Sequence, residues 1–161
     1  MSYYNKVGTY YDKDAVDFEQ RYHQNPALQR IRQSFRQHTK SYEQTTVLEV
    51  GFGPGFDLVH FAEQFPDRKF YGIDISAEMV RLTQEKIDRM GLQNAWVAKG
   101  SVEDIKVLYP EVQFDMIYVF FGALNTVNDL EGAFVDLRAV LSSGGRMVLT
   151  FVNRYYIAGT L

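Results

Sequence analysis

A chain of 161 residues and 18.6 kDa fits the roughly 100 to 200 residues of one domain, and a hydrophobic content of 46% supplies an ordinary interior without staples. Seventeen Lys and Arg against 20 Asp and Glu leave a formal charge of −3, which excludes the global cationic field that dominates phosphate-backbone binding. Zero cysteines exclude disulfides, thiolate metal sites and cysteine nucleophiles, and set a reducing, cytoplasmic compartment as the expectation.

The opening segment, Met1 to Tyr11, is polar and rich in tyrosine, without the apolar core of a signal peptide. No run of about 18 apolar residues follows anywhere, so no membrane span is expected. Asp12 to Tyr22 reads as a first helix, with Ala15, Val16, Phe18 and Tyr22 along one side. After Asn25, Pro26 opens a second helix carrying Leu28, Ile31 and Phe35 at helical spacing. Arg30, Arg32, Arg36 and Lys40 on this segment read as a solvated face, with an anionic acceptor as the alternative. Residues 1–44 form a helical appendage and residues 45–161 a second unit.

From Thr45 the pattern alternates short β-rich runs with helical stretches, the signature of βαβ units and a parallel sheet. The expected strands are Val47 to Val50, Lys69 to Ile73, Ala95 to Lys99, Phe114 to Phe120 and Arg146 to Val152. The helices between them are Phe56 to Phe65, then Ala77 to Met90 between Ser76 and Gly91, and Asp129 to Leu141. For the last, Asn128 and Glu131 suggest a capping box, and Ser142-Ser143-Gly144-Gly145 a stop. After the fifth strand little chain remains to cover Phe151, Val152, Tyr155, Tyr156 and Ile157. A truncated chain, or a partner or second copy over that sheet edge, is the expectation there.

The most informative segment is Thr46-Val47-Leu48-Glu49-Val50-Gly51-Phe52-Gly53-Pro54-Gly55-Phe56, a strand, a glycine turn and a helix start. Glycines at 51, 53 and 55 permit positive φ and remove Cβ atoms where a ligand approaches the backbone beside a helix N-terminus. About 20 residues on, Asp74 closes the second strand, where a carboxylate accepts from both hydroxyls of a ribose. A nicotinamide dinucleotide meets two objections: Phe56 stands where its fingerprint wants glycine or alanine, and Glu49 places a charge beside the pyrophosphate. An ammonium group suits Glu49 better.

Val47-Leu48-Glu49-Val50-Gly51-Phe52-Gly53-Pro54-Gly55 resembles the first motif of class I S-adenosylmethionine-dependent methyltransferases, particularly the small-molecule, ubiquinone and menaquinone methyltransferase-like branch. The resemblance extends from Val47 to about Asn153. It implies an α/β, Rossmann-like doubly wound parallel sheet of about five strands in the order 3-2-1-4-5, with helices on both faces. It implies Glu49 and the backbone of Gly51, Phe52, Gly53 and Gly55 near the methionine moiety of S-adenosyl-L-methionine, and Asp74 and Ile75 at the ribose. Met79 then packs on adenine, and Gly100-Ser101-Val102-Glu103-Asp104-Ile105 resembles the adenine-contacting loop, with Ser101 where relatives usually carry Asp. Phe114 to Phe121, including Tyr118, resembles the fourth-strand motif whose end faces the reactive methyl, and Tyr11 joins the cofactor set from the appendage as a lid residue. Relatives generally add a helix and two strands, in the order 3-2-1-4-5-7-6, that this sequence lacks.

Methyl transfer from a sulfonium is an in-line displacement that alignment alone can drive, so no catalytic residue is assigned. If the acceptor needs a base, His23, Tyr3, Tyr4, Tyr10 and Tyr11 are the candidates; His38 and His60 are weaker, and His60 reads as solvent-facing. The fourth-strand end lacks the motif of amino-methylating DNA enzymes, and the histidines share no ligand spacing, so neither a nucleic-acid acceptor nor a metal is expected. The leading expectation is methylation of a small aromatic or amphipathic molecule. The rivals are a non-catalytic or truncated methyltransferase-like domain and, behind it, a nicotinamide oxidoreductase.

Overall fold

The computed structural model describes residues 3–152. Helices α1 (Tyr3–His23) and α2 (Pro26–Lys40) precede β1 (Thr46–Val50), α3 (Phe56–Gln64), β2 (Lys69–Asp74), α4 (Ala77–Met90) and β3 (Ala95–Lys99). A short turn of helix at Val102–Asp104 leads into α5 (Ile105–Leu108) and β4 (Phe114–Val119), and another at Ala123–Thr126 leads to α6 (Leu130–Val140) and β5 (Leu141–Leu149). The five strands are parallel, in the order β3-β2-β1-β4-β5. The chain thus has the expected Rossmann-like architecture, with its switch point between β1 and β4.

The central strand β1 is buried on both faces because its side chains alternate between two cores. Val47 points to a cluster with Leu58, Phe61 and Phe70, and Leu48 to one with Ile73, Ile117 and Leu137. Full burial of each such side chain contributes roughly 2 kcal/mol. The helix ends follow local chemistry. Asn25 accepts from the backbone N–H groups of Ala27 and Leu28, Ser76 from that of Met79, and Gly91 closes α4 with φ of 65°.

Several expectations are corrected. The first helix begins at Tyr3 rather than Asp12, and Val16 faces solvent at 82% exposure. Arg32 and Arg36 are not a solvated face: both turn inward to Asp57, which opens α3. The cap of α6 is Asp129, accepting from the Gly132 N–H, not Asn128. Ser142 to Gly145 does not precede the fifth strand but lies within it. Phe114 pairs with Leu141 and Met116 with Arg146, so those four residues bulge opposite Asp115, with Gly144 at φ 77°. The strand ends at Leu149, Phe151 and Val152 are exposed, and Tyr155, Tyr156 and Ile157 lie outside the described residues.

Candidate functional site

Beyond the carboxyl ends of β1, β2 and β4 lies a cleft of about 220 Å3. Its floor is Val50, Ile73, Met79 and Val102, and its far wall Phe120, Phe121 and Ala123. Its roof is α1, which contributes Tyr4, Tyr11 and Phe18. These three stand seven residues apart, which on an α-helix puts them on one side.

Asp74 closes β2 at the cleft's centre and is only 7% exposed. Its carboxylate accepts from the backbone N–H of Gly53 at 2.8 Å and of Ser76 at 2.9 Å. Burial nevertheless outweighs these donors and pushes its pKa up to about 6. Gly51, with φ of 71°, turns the chain where a Cβ would fall 2.3 Å from that of Ala123. The Ser101 N–H and hydroxyl are both taken by Asp104, at 2.8 and 2.9 Å, which rigidifies the loop beside Val102.

The roof is stitched to the sheet along its length. The Tyr4 hydroxyl donates to Glu103 at 2.9 Å. A Cβ at Gly8 would sit 2.9 Å from the Ile75 carbonyl oxygen, so the backbones touch there. Asp12 accepts from the Ser76 hydroxyl at 2.6 Å and the Glu78 N–H at 3.1 Å, while Glu19 pairs with Lys86. Burial opposes ionisation of Asp12, but these donors win and hold its pKa below the usual value.

On the other side of the glycine loop a second hollow, of about 180 Å3, is bounded by Arg21, Tyr22, Arg32, Glu49, Phe52 and Asp57. It shares Phe18, Gly51, Gly53, Phe120 and Phe121 with the first. Glu49 is 2% exposed and accepts from the Tyr118 hydroxyl at 2.8 Å; burial pushes its pKa well up, with Asp57 adding to the shift. Phe121, which reaches both hollows, holds a φ of 54°, a conformation that costs a non-glycine residue of order 1 kcal/mol.

Of the anticipated cofactor residues, Gly51, Gly53, Asp74, Ile75, Met79, Ser101, Val102 and Tyr11 line the cleft. Glu49 and Phe52 line the second hollow, and Glu103 anchors Tyr4. Gly55 packs against Thr83 instead. Tyr118 is corrected: it is wholly buried, its ring against Phe61 and its hydroxyl on Glu49, and Phe120 and Phe121 take the wall instead. Sequence reasoning missed Phe18 as a lining residue and Asp12 as an anchor; the seven-residue spacing of Tyr4, Tyr11 and Phe18 was the available signal. Among the base candidates Tyr3 and Tyr10 are exposed, and His23 packs edge-on against Phe56. His60 is half-buried rather than solvent-facing, and burial, followed by Arg36 and Lys40, lowers its pKa to about 4. Among the described residues no three His, Asp or Glu side chains are grouped to hold a metal, and no helix is long and apolar enough to cross a membrane.

A parallel sheet in this order, with a buried acid ending β2 and a glycine loop at its switch point, is the arrangement of nucleotide-cofactor domains. Residues 41–157 match the family described as "Methyltransferase domain", and the chain belongs to it, within the class I S-adenosylmethionine-dependent methyltransferases. A tRNA (guanine-N(7)-)-methyltransferase of Edwardsiella ictaluri is 35% identical over 80 residues, 49% of this chain and 34% of that protein. Malonyl-[acyl-carrier protein] O-methyltransferase 1 of Ilyobacter polytropus is 31% identical over 117 residues, 72% of this chain and 41% of that protein. The chain therefore spans less than half the length of either. PKMT2 from Rickettsia typhi, solved in complex with AdoHcy, shares the fold with a TM-score of 0.57 at 22% identity, covering 65% of this chain and 20% of that one.

Proposed function

We propose that this domain binds S-adenosylmethionine across the glycine loop and transfers its methyl group to a small aromatic or amphipathic acceptor. The observation that carries the reading is Asp74 at the end of β2, buried, hydrogen-bonded to Gly53 and facing a cleft floored by Met79 and Val102. The cofactor supplies an activated methyl on a sulfonium. Asp74 accepts from the ribose hydroxyls, while Met79 and Val102 pack on the adenine. Tyr4, Tyr11 and Phe18 exclude water and, with Phe120 and Phe121, supply aromatic rings of the kind that attract a cation. In this reading α1 and α2 form a lid, and the acceptor reaches the methyl beside Phe120 and Phe121 in a soluble, cytoplasmic protein. Alignment then does the chemical work, and no acid or base is assigned.

The aromatic wall and the net charge of −3 favour a small acceptor. A tRNA acceptor is the second reading, favoured by the relative from Edwardsiella ictaluri. Calorimetric titration with S-adenosylhomocysteine and, separately, NAD tests the cofactor. Micromolar binding of the first, weakened at least about tenfold (about 1.4 kcal/mol) by Asp74→Ala, is expected. Preference for NAD, or indifference to the substitution, overturns the reading. Binding of tRNA to the loaded protein with a steep salt dependence would favour the second acceptor class.

A further inference from the structure

Tyr4, Gly8 and Asp12 follow one another at four-residue intervals along α1, which puts them on one side of the helix. They meet Glu103, Ile75 and Ser76 in turn. The last contact differs from the other two because of what Ser76 does. Ser76 is fully buried, and each of its polar groups is engaged. Its N–H donates to Asp74 Oδ1 at 2.9 Å, its carbonyl accepts from the Val80 N–H at 3.2 Å, and its hydroxyl oxygen accepts from the Met79 N–H at 3.1 Å. The hydroxyl proton goes to Asp12 Oδ1 at 2.6 Å, and that same carboxylate oxygen accepts from the Glu78 N–H at 3.1 Å. One carboxylate of the roof thus completes the turn that carries both Asp74 and the floor residue Met79.

Asp12 sits at the N-terminus of α4, where a carboxylate is favoured and the Glu78 N–H has no partner inside the helix. Removing it leaves the buried Ser76 hydroxyl without an acceptor, an unfavourable state that the turn relieves by shifting. A shift of Ser76 carries its N–H along, and that N–H is one of the donors that fix the Asp74 carboxylate. Tyr4 has no such route to Asp74. Its bond ends on Glu103, an exposed side chain, and the loop around Glu103 is closed by its own Ser101–Asp104 bonds.

We propose that Asp12 is a positioning residue for the ribose acid: by holding the Ser76 hydroxyl and the Glu78 N–H from the roof, it sets the turn that aims Asp74. Closing α1 and gripping the ribose hydroxyls are then one event. The inference rests on Asp74 receiving the ribose of an adenosyl cofactor, the reading given above. The coupling is reciprocal: a ribose on Asp74 favours the closed roof, and the closed roof favours the ribose.

Calorimetry with S-adenosylhomocysteine and its 2′,3′-dideoxy analogue measures, as a ratio of affinities within one protein, what the ribose hydroxyls contribute. The wild type is expected to prefer S-adenosylhomocysteine by at least about tenfold, and Asp12→Ala to cut that preference at least about threefold. Tyr4→Phe keeps its ring in the cleft and loosens the roof without reaching Ser76, so it is expected to weaken both ligands and change the preference by less than about threefold. Hydrogen exchange on the wild type needs no variant, and it decides the matter if Asp12→Ala binds neither ligand. At saturation, S-adenosylhomocysteine is expected to slow exchange of the α1 amides at least about threefold more than the dideoxy analogue does. A smaller cut in Asp12→Ala, an equal cut in Tyr4→Phe, or equal protection of α1 by the two ligands overturns the positioning role while leaving the cofactor reading intact. A wild-type preference below about tenfold, or one that Asp74→Ala does not abolish, overturns the ribose reading and the positioning role with it.

Discussion

Asp74 is surrounded by donors yet deprived of water, and the two facts have separable consequences. A protonated Asp74 has one oxygen fewer to accept from a ribose, and its pKa near 6 places that change just below neutrality. Affinity for S-adenosylhomocysteine is therefore expected to fall as pH drops through 6, with a flat profile over the same range in Asp74→Asn; titration calorimetry at pH 5, 6 and 7.5 reads both. A second residue behaves differently. Gly51 combines φ of 71° with a Cβ position 2.3 Å from that of Ala123, so Gly51→Ala is expected to cost about 2 to 4 kcal/mol, read from urea unfolding, irrespective of ligand. Both residues stand out in the sequence, because a Gly-x-Gly-x-Gly turn and an acid ending the next strand are local patterns. Tyr118 does not. Its neighbours and motif argue for the cleft, and only the tertiary pairing with Glu49 turns it inward.

At the scale of elements, α1 and α2 govern access and anchorage. The Gly8 backbone lies against the Ile75 carbonyl, so a methyl group there props α1 away from the turn between β2 and α4 while leaving the sheet untouched. Gly8→Ala is expected to accelerate release of S-adenosylhomocysteine severalfold in stopped-flow displacement, with an unfolding midpoint near that of the wild type. Removing charge under α2 should do the reverse. Asp57→Asn leaves Arg32 and Arg36 facing no carboxylate at that position and is expected to destabilise by about 3 kcal/mol in urea unfolding. The strands and α4 were legible because period, caps and turn residues agree. The start of α1 was not, since its inward stripe is Tyr4, Tyr11 and Phe18 rather than aliphatic, and Gly8 interrupts it. The bulge in β5 was hidden for the opposite reason: Ser142-Ser143-Gly144-Gly145 has turn chemistry, and only pairing with β4 keeps it within the strand.

For the molecule as a whole, buried acids set how stability varies with pH. Asp74 binds its proton more tightly when folded, at about 6, than at its ordinary value of 3.8. The folded state therefore holds more protons between these values, and stability falls as pH rises from about 4 to about 6, then levels. A difference of about two units corresponds to about 3 kcal/mol lost at neutral pH. Asp74→Asn is accordingly expected to melt higher than the wild type at pH 7 and to lose this advantage by pH 4, as differential scanning calorimetry would show. The parallel sheet was readable because short β-rich runs alternate with helical stretches, whereas the strand order came from the resemblance of the glycine-loop motif to a known family. The second hollow was not, since Arg32, Glu49 and Asp57 come from three elements and meet only on packing.

The three loop glycines are held to their identity by different constraints. A side chain at Gly51 would meet Ala123 and one at Gly55 would meet Thr83, whereas a Cβ on Gly53 would meet, among the described residues other than its chain neighbours, no atom within 4 Å. Its positive φ of 56° would still strain a side chain there, by of order 1 kcal/mol as at Phe121. Position 53 thus answers to its backbone conformation and to whatever occupies the cleft, without the packing constraint of the other two. In a lineage that abandoned the cofactor, it would be the first of the three to drift, with 51 and 55 persisting as relics of the fold.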